Sequence, residues 1–256
     1  MMAPSDTLRK VNFSNVALDD YSFDELLCLC ERTISEKKKN LFIVTLDIIG
    51  AYKMLFDANY AAAVSSADVV TCDGSGLKLL SFIKYPEHVR NKISGVDLAA
   101  RLLGLADARG FKIAFVGSSP GVIAALEKKV AADYPGMPVP YFHHGYFSAA
   151  EGACVAERLG RQKPDVLLVG MGNPVQEKFI SSISRLLSGS VMIGVGGSFD
   201  VMSGSLKRAP AFMQRNYLEW AYRLYQQPSR IFRMLNIPKY ILFTLACEVY
   251  RWFRKK

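Results

Sequence analysis

The chain has 256 residues, half of them hydrophobic, enough to bury one substantial core, and it contains no internal repeat or low-complexity tract. Its formal net charge of +9 resides wholly in residues 207–256, where eleven Lys/Arg face two acids, Glu219 and Glu248, while the first 206 residues carry 21 bases and 21 acids. A neutral body with a basic, aromatic end points to a globular core joined to a segment that meets an anionic surface or substrate, be it nucleic acid, a phosphorylated small molecule or a membrane.

Residues 1–15 are polar and lack the apolar stretch of a secretory signal, so a cytosolic protein is expected. The five cysteines, at 28, 30, 72, 154 and 247, are scattered and form no C-x-x-C, which suggests neither a disulfide framework nor a zinc site.

In chain order, Ser22-Phe-Asp-Glu25 reads as a cap opening a helix over 23–38. An apolar strand over 41–45 follows, with Thr45 at its end and Asp47 at its tip, and then a helix over 50–65. A second strand, 68–71, runs into Asp73-Gly-Ser-Gly76. Ser94-Gly-Val-Asp97 looks like the cap of a helix over 96–108, and the strand 112–116 ends in Gly117-Ser-Ser-Pro-Gly121 before a helix over 121–132. Strand 139–142 leads to His143 and His144, which together with His88 lack the partners of a metal site and read as loop residues. A helix over 149–161, a strand over 165–169 ending in Gly170-Met-Gly-Asn-Pro174, a helix over 175–187 and a strand over 191–195 ending in Gly194-Val-Gly-Gly-Ser198 complete the pattern. Strands alternating with helices predict an α/β fold: a mainly parallel, Rossmann-like sheet flanked by helices, over residues 1–206, with a helical basic appendage over 207–256. Such sheets bind ligands at the carboxyl ends of their strands, where the glycines and polar residues of this chain gather.

Asp73, a carboxylate directly after a strand and before a flexible turn, fits either a general base or a cap of the next helix, and Asp47 invites the same two readings. No loop spells G-x-G-x-x-G or a P-loop, which disfavours a nicotinamide enzyme and an NTPase. No Asp-x-Asp follows a strand, so a diphosphate leaving group would have to be neutralised by protein cations rather than by a metal; no cofactor is expected. Arg208, Arg215, Arg223, Arg230 and Arg233 suit that task, and the spacing of Arg223, Arg230 and Arg233 by seven and three would align them on one helical face.

The ordered series Gly194-Val-Gly-Gly-Ser-Phe-Asp200, Gly204, Arg208-Ala-Pro210, Leu218-Glu-Trp220, Tyr222-Arg-Leu224, Pro228 and Arg230 resembles the WecG/TagA/CpsF family of bacterial glycosyltransferases. Thr45, Asp73-Gly-x-Gly76, Gly95-x-Asp97, Gly145-Tyr-Phe147, Lys163-Pro-Asp165 and Gly172-x-Pro174-x-Gln176-Glu177 extend the resemblance over about residues 40–235. It implies inverting transfer of a sugar, usually of N-acetylmannosamine type, from a UDP-sugar donor to a polyprenyl-diphosphate-linked sugar in cell-surface polysaccharide synthesis. By the same resemblance Asp73 is the base that deprotonates the acceptor hydroxyl, Thr45 orients it, and Arg223, Arg230 and Arg233 complete the active site from the appendage. Gln176, Glu177, Gly196, Gly197 and Asp200 fall in donor-pocket segments, with Arg208 nearby. Asp47 stands where the family commonly has Asn, Lys92 where it has Arg, Val175 where it has Lys and Tyr217 where it has Gly; Asp47 and Lys92 flank the acceptor site, so glucose or a uronic acid competes with N-acetylmannosamine as donor sugar.

Residues 237–256 form an apolar run broken by Glu248 and closed by Arg251, Arg254, Lys255 and Lys256. The run is too charged to span a bilayer but suits a helix lying at the headgroup level of an anionic membrane, with a helix docked on its own core as the plainer alternative. The expected location is peripheral, on the inner face of the cell membrane. A non-catalytic nucleotide-sugar or lipid-phosphate sensor is the rival function, no nucleic-acid partner is expected, and a homo-oligomer is left open.

Overall fold

The computed structural model of the chain describes residues 9–13, 16–84, 88–216 and 218–254, with side chains given except at 13, 84 and 247–254. A hairpin of β1 (Lys10–Phe13) and β2 (Val16–Asp19) comes first, followed by α1 (Phe23–Glu36), β3 (Leu41–Leu46), α2 (Ile48–Lys53), α3 (Ala58–Ser65), β4 (Val69–Cys72) and α4 (Ser75–Lys84). Next come α5 (Gly95–Arg109), β5 (Ile113–Gly117), α6 (Pro120–Asp133), β6 (Tyr141–His143), α7 (Ala149–Gln162), β7 (Val166–Gly170), α8 (Val175–Ile183), β8 (Val191–Gly194) and α9 (Ser198–Met202). The last stretch holds α10 (Ala211–Arg215), α11 (Glu219–Gln226), α12 (Ile231–Met234) and α13 (Asn236–Arg254).

The six strands after the hairpin form one parallel sheet in the order β4-β3-β8-β7-β5-β6. Because successive strand residues face opposite ways, Phe42, Val44 and Leu46 of β3 enter one core while Leu41 and Ile43 enter the other, and β7 and β8 divide in the same manner. Both faces are therefore apolar and need helices on each side, as the continuous hydrophobic runs imply. The order also sets β4, β3, β8 and β7 side by side, so the loops following these four strands share one edge of the sheet.

Several elements depart from their expected form. The expected helix over 50–65 is two helices, because the chain turns at 54–57 and Asp57 caps α3 by accepting the Tyr60 amide at 2.9 Å. The strand expected from 139 starts at Tyr141; Pro138 and Pro140 flank an exposed Val139 and withhold ladder donors. The helix expected to reach 187 ends at Ile183 in a short 3-10 turn. Ser22 and Glu25 form the expected capping box, whereas Ser94 makes no side-chain cap bond. The hairpin β1–β2 and helix α4 were not expected at all.

The basic segment is helical, and α13 packs back on α2: Tyr240 and Thr244 are fully buried, and Tyr52 and Tyr240 meet edge-on with centroids 6.2 Å apart. The opposite side of α13 exposes Leu242, Phe243 and Leu245. Among the described residues no helix is long and apolar enough to cross a membrane. The terminal Lys255 and Lys256 lie outside the described residues, as do the side chains of Glu248, Arg251 and Arg254.

Candidate active site

Each of the four adjacent strand ends contributes. From β3 come Thr45, whose hydroxyl donates to the Gly194 carbonyl at 3.0 Å, and Asp47, which caps α2 by accepting the Gly50 amide at 2.6 Å and a bond from the Asn173 side chain at 3.3 Å. The Thr45 bond ties β3 to the end of β8, and a Cβ on Gly95 would lie 3.2 Å from that hydroxyl, so α5 starts hard against the same point.

Asp73 follows β4, anchored by its own amide bond to the Leu46 carbonyl at 2.8 Å. Gly74, at φ +80°, turns the chain into α4 in a conformation that L side chains rarely adopt. No hydrogen bond among the described residues reaches the half-buried Asp73 carboxylate, so the cap reading has no support there. Burial pushes this carboxyl up from an ordinary 3.8 to about 6; Asp47 adds to the rise, and Arg223 and Lys92 oppose it. The same influences establish that Asp73, Asp47, Lys92 and Arg223 share one electrostatic neighbourhood.

Gln176 and Glu177 start α8 and are 4% and 2% exposed. The Gln176 Oε1 accepts from the amides of Gly172 at 3.1 Å and Gly196 at 2.8 Å, and its Nε2 donates to Glu177 Oε1 at 2.8 Å. One carboxamide thus pins the loops after β7 and β8 together, and Glu177 fixes which way the amide faces. Burial raises the Glu177 pKa, and its second oxygen has no partner among the described residues.

Arg223, Arg230 and Arg233 do not share a helix. Pro228 cannot continue α11, so Arg223 lies on α11, Arg230 ends a 3-10 turn over Pro228–Arg230, and Arg233 is on α12. They still converge: burial and then the positive charges of Arg223 and Arg233 lower the Arg230 pKa, against Asp200 and Asp47. Arg223 pairs with Glu219 at 2.7 Å and Arg230 Nε donates to Gln227 at 2.6 Å, while Arg233 is exposed. Gly197, Val201, Leu206, Lys207, Arg223, Gln226 and Arg230 line a shallow cleft open to solvent. A Cβ on Gly197 would come 3.3 Å from Arg230, so a side chain there would press on the guanidinium.

Arg208 sits apart from this cleft lining, in a 2.5 Å ion pair with Asp97 of α5, and Arg215 is exposed at the end of α10. Tyr217 lies outside the described residues. Sequence reasoning missed several supporting groups. Asp20, buried, accepts the Arg90 and Asn91 amides and so sets the approach to Lys92. Lys53 donates to the Asn173 carbonyl and side chain at 2.7 and 2.9 Å. Gln226 exchanges two hydrogen bonds with the Lys207 backbone, tying α11 to the start of the basic segment. Only Asn173, between Gly172 and Pro174, carried a sequence signal. Among the described residues no group of His, Cys, Asp and Glu could hold a metal ion.

An unhydrogen-bonded carboxyl with raised pKa, within the electrostatic reach of Arg223 and Lys92, has the parts for proton abstraction next to an anionic leaving group. Two curated proteins are similar over most of this chain. A protein of Bacillus spizizenii is 37% identical over 218 residues, 85% of this chain and 84% of its own length; one of Bacillus subtilis strain 168 is 34% identical over 244 residues, 95% and 92%. Both are named N-acetylglucosaminyldiphosphoundecaprenol N-acetyl-beta-D-mannosaminyltransferase. The family model "Glycosyl transferase WecG/TagA/CpsF family" matches residues 11–255, and the chain belongs to that family: it is a glycosyltransferase of polysaccharide synthesis.

Proposed function

We propose that the protein transfers an N-acetylmannosamine-type sugar from a UDP-sugar to a polyprenyl-diphosphate-linked N-acetylglucosamine, with inversion, at the inner face of the cell membrane. The observation that carries this reading is the Asp73 carboxyl, which follows β4 beside the end of β3 and whose pKa burial raises to about 6, under the influence of Asp47, Arg223 and Lys92. The acceptor hydroxyl gives its proton to Asp73 as its oxygen bonds to the anomeric carbon, and the bond from that carbon to the UDP oxygen breaks. Arg223, Arg230 and Lys207, with Arg233 nearby, stabilise the charge that builds on the diphosphate. Gly196, Gly197 and Asp200 shape that end of the cleft; Gln176 and Glu177 act by holding its loops, and Arg208 by clasping the basic segment to α5. A single displacement converts the α configuration of a UDP-sugar into a β linkage, which agrees with the β-mannosaminyl transfer in the relatives' names.

The test offers purified protein a panel of UDP-sugars with a short-chain diphosphate lipid bearing N-acetylglucosamine, and reads product mass and anomeric configuration. A β-linked N-acetylmannosamine product is expected. Transfer of no sugar in the panel, or an α-linked product, refutes the proposal.

A further inference from the structure

We infer that α4 is a membrane-contacting helix that lays Leu79, Phe82 and Ile83 on an anionic lipid bilayer. A helix on a protein surface needs one apolar face for its core and turns polar residues outward. In α4 the core face is Leu77, Leu80 and Ser81, all buried, yet the opposite face holds Leu79, Phe82 and Ile83, exposed by 60%, 65% and 69%. Positions 79, 82 and 83 are three and four apart, so the three form one continuous patch. The described chain packs nothing over it beyond the His88 ring, edge-on to Phe82 at 5.0 Å. A helix apolar all round and covered on one side alone is built for a second apolar partner.

Charge selects the partner. Residues 75–92 carry Lys78, Lys84, Arg90 and Lys92 against one acid, Glu87, and none of the acids lies in α4 itself. Lys78 donates to the Arg90 carbonyl at 2.6 Å, which brings the exposed Arg90 beside the helix. Large apolar side chains in a segment rich in cations match the acyl boundary and headgroups of an anionic bilayer, and do not match the mixed charge of most protein surfaces. Position agrees. The helix starts two residues after Asp73, and at 1.5 Å per residue the three side chains lie about 6–12 Å along it, the scale of a lipid diphosphate and its first sugar. Helix α2 lies between α4 and α13, since a Cβ on Gly76 would stand 3.2 Å from Ile48 and Tyr52 meets Tyr240. Both helices flanking α2 thus expose apolar faces, one of them beside the base.

This inference draws on the lipid-linked acceptor proposed above, so its test contains neither donor nor acceptor. Full-length protein is sedimented with sucrose-loaded vesicles of phosphatidylcholine and phosphatidylglycerol. Changing Leu79→Ser, Phe82→Ser and Ile83→Ser together should leave the circular dichroism melt in place and weaken vesicle affinity at least tenfold. Wild-type affinity in the triple variant overturns the proposal, and if light scattering also shows an oligomer becoming a monomer, the face belongs to a second copy. For a triple variant that melts early, Phe82→Trp answers the same question. Brominated acyl chains should quench its emission beyond the baseline set by Trp220 and Trp252, and equal quenching in wild type overturns the placement.

Discussion

Replacing Asp73 by Asn separates what this residue does for the reaction from what it costs the fold. Each tenfold change in an ionisation equilibrium is about 1.4 kcal/mol, so a carboxyl moved from 3.8 to about 6 costs up to about 3 kcal/mol when ionised. Partial exposure of the side chain reduces this to about 1–3 kcal/mol. The sign follows from the raised folded value. Well below pH 3.8 the carboxyl is protonated whether folded or not and costs nothing; the cost grows as pH rises to about 6 and is constant above. Asp73→Asn should therefore melt roughly 3–8 °C higher than wild type at pH 8, and the difference should shrink to about 2 °C or less at pH 4. Its transfer rate should fall by roughly two to four orders of magnitude, because an amide accepts no proton. Scanning fluorimetry at the two pH values and a single-turnover assay read both. A variant no more stable at pH 8 than at pH 4, relative to wild type, would refute the burial argument, and activity within a few-fold of wild type would remove Asp73 from the mechanism.

Tyr240→Ala should lower stability by about 2–4 kcal/mol by emptying the contact between α13 and α2, so a truncation at 237 should unfold more readily rather than merely leave the membrane; an unchanged melt would show the helix undocked in solution. Glu177→Ala strands the buried Gln176 amide and should cost about 1–3 kcal/mol and raise the donor KM, whereas Glu177→Gln keeps an acceptor and should restore both; equal damage from the two variants would deny the orienting role. Arg230→Ala should reduce kcat at least tenfold while excess EDTA leaves the wild-type rate intact, and loss in EDTA restored by Mg²⁺ would replace the arginines with a metal.

The six sheet strands were legible because strands buried on both faces are continuous runs of β-branched and apolar residues, and no polar position interrupts Ile43–Val44 or Leu167–Leu168. Their adjacency was not legible: that β8 lies between β3 and β7, bringing Gly194 to Thr45, is a tertiary outcome with no local signature. The hairpin was missed since its strands are four residues each and the second runs into the buried acids Asp19 and Asp20, which break any apolar run. Helix α4 was missed because a segment apolar on both faces lacks the contrast on which a helical period depends. The three arginines were placed on one helix by extending a period through Pro228, which ends it. The resemblance puts Gln176 and Glu177 in donor-pocket segments; the backbone amides that Gln176 holds were not legible, because a polar side chain in a glycine-rich segment has no local mark of an amide partner.

The pH dependence of kcat/KM, measured for wild type and Asp47→Asn, tests the central claim most directly. The base must be ionised, so activity should be lost as pH falls through about 6. Removing the Asp47 charge, which helps to raise the Asp73 pKa, should move that acid limb to lower pH. A limb that is absent, or that stays in place when Asp47 is neutralised, would contradict Asp73 as the base of this crevice.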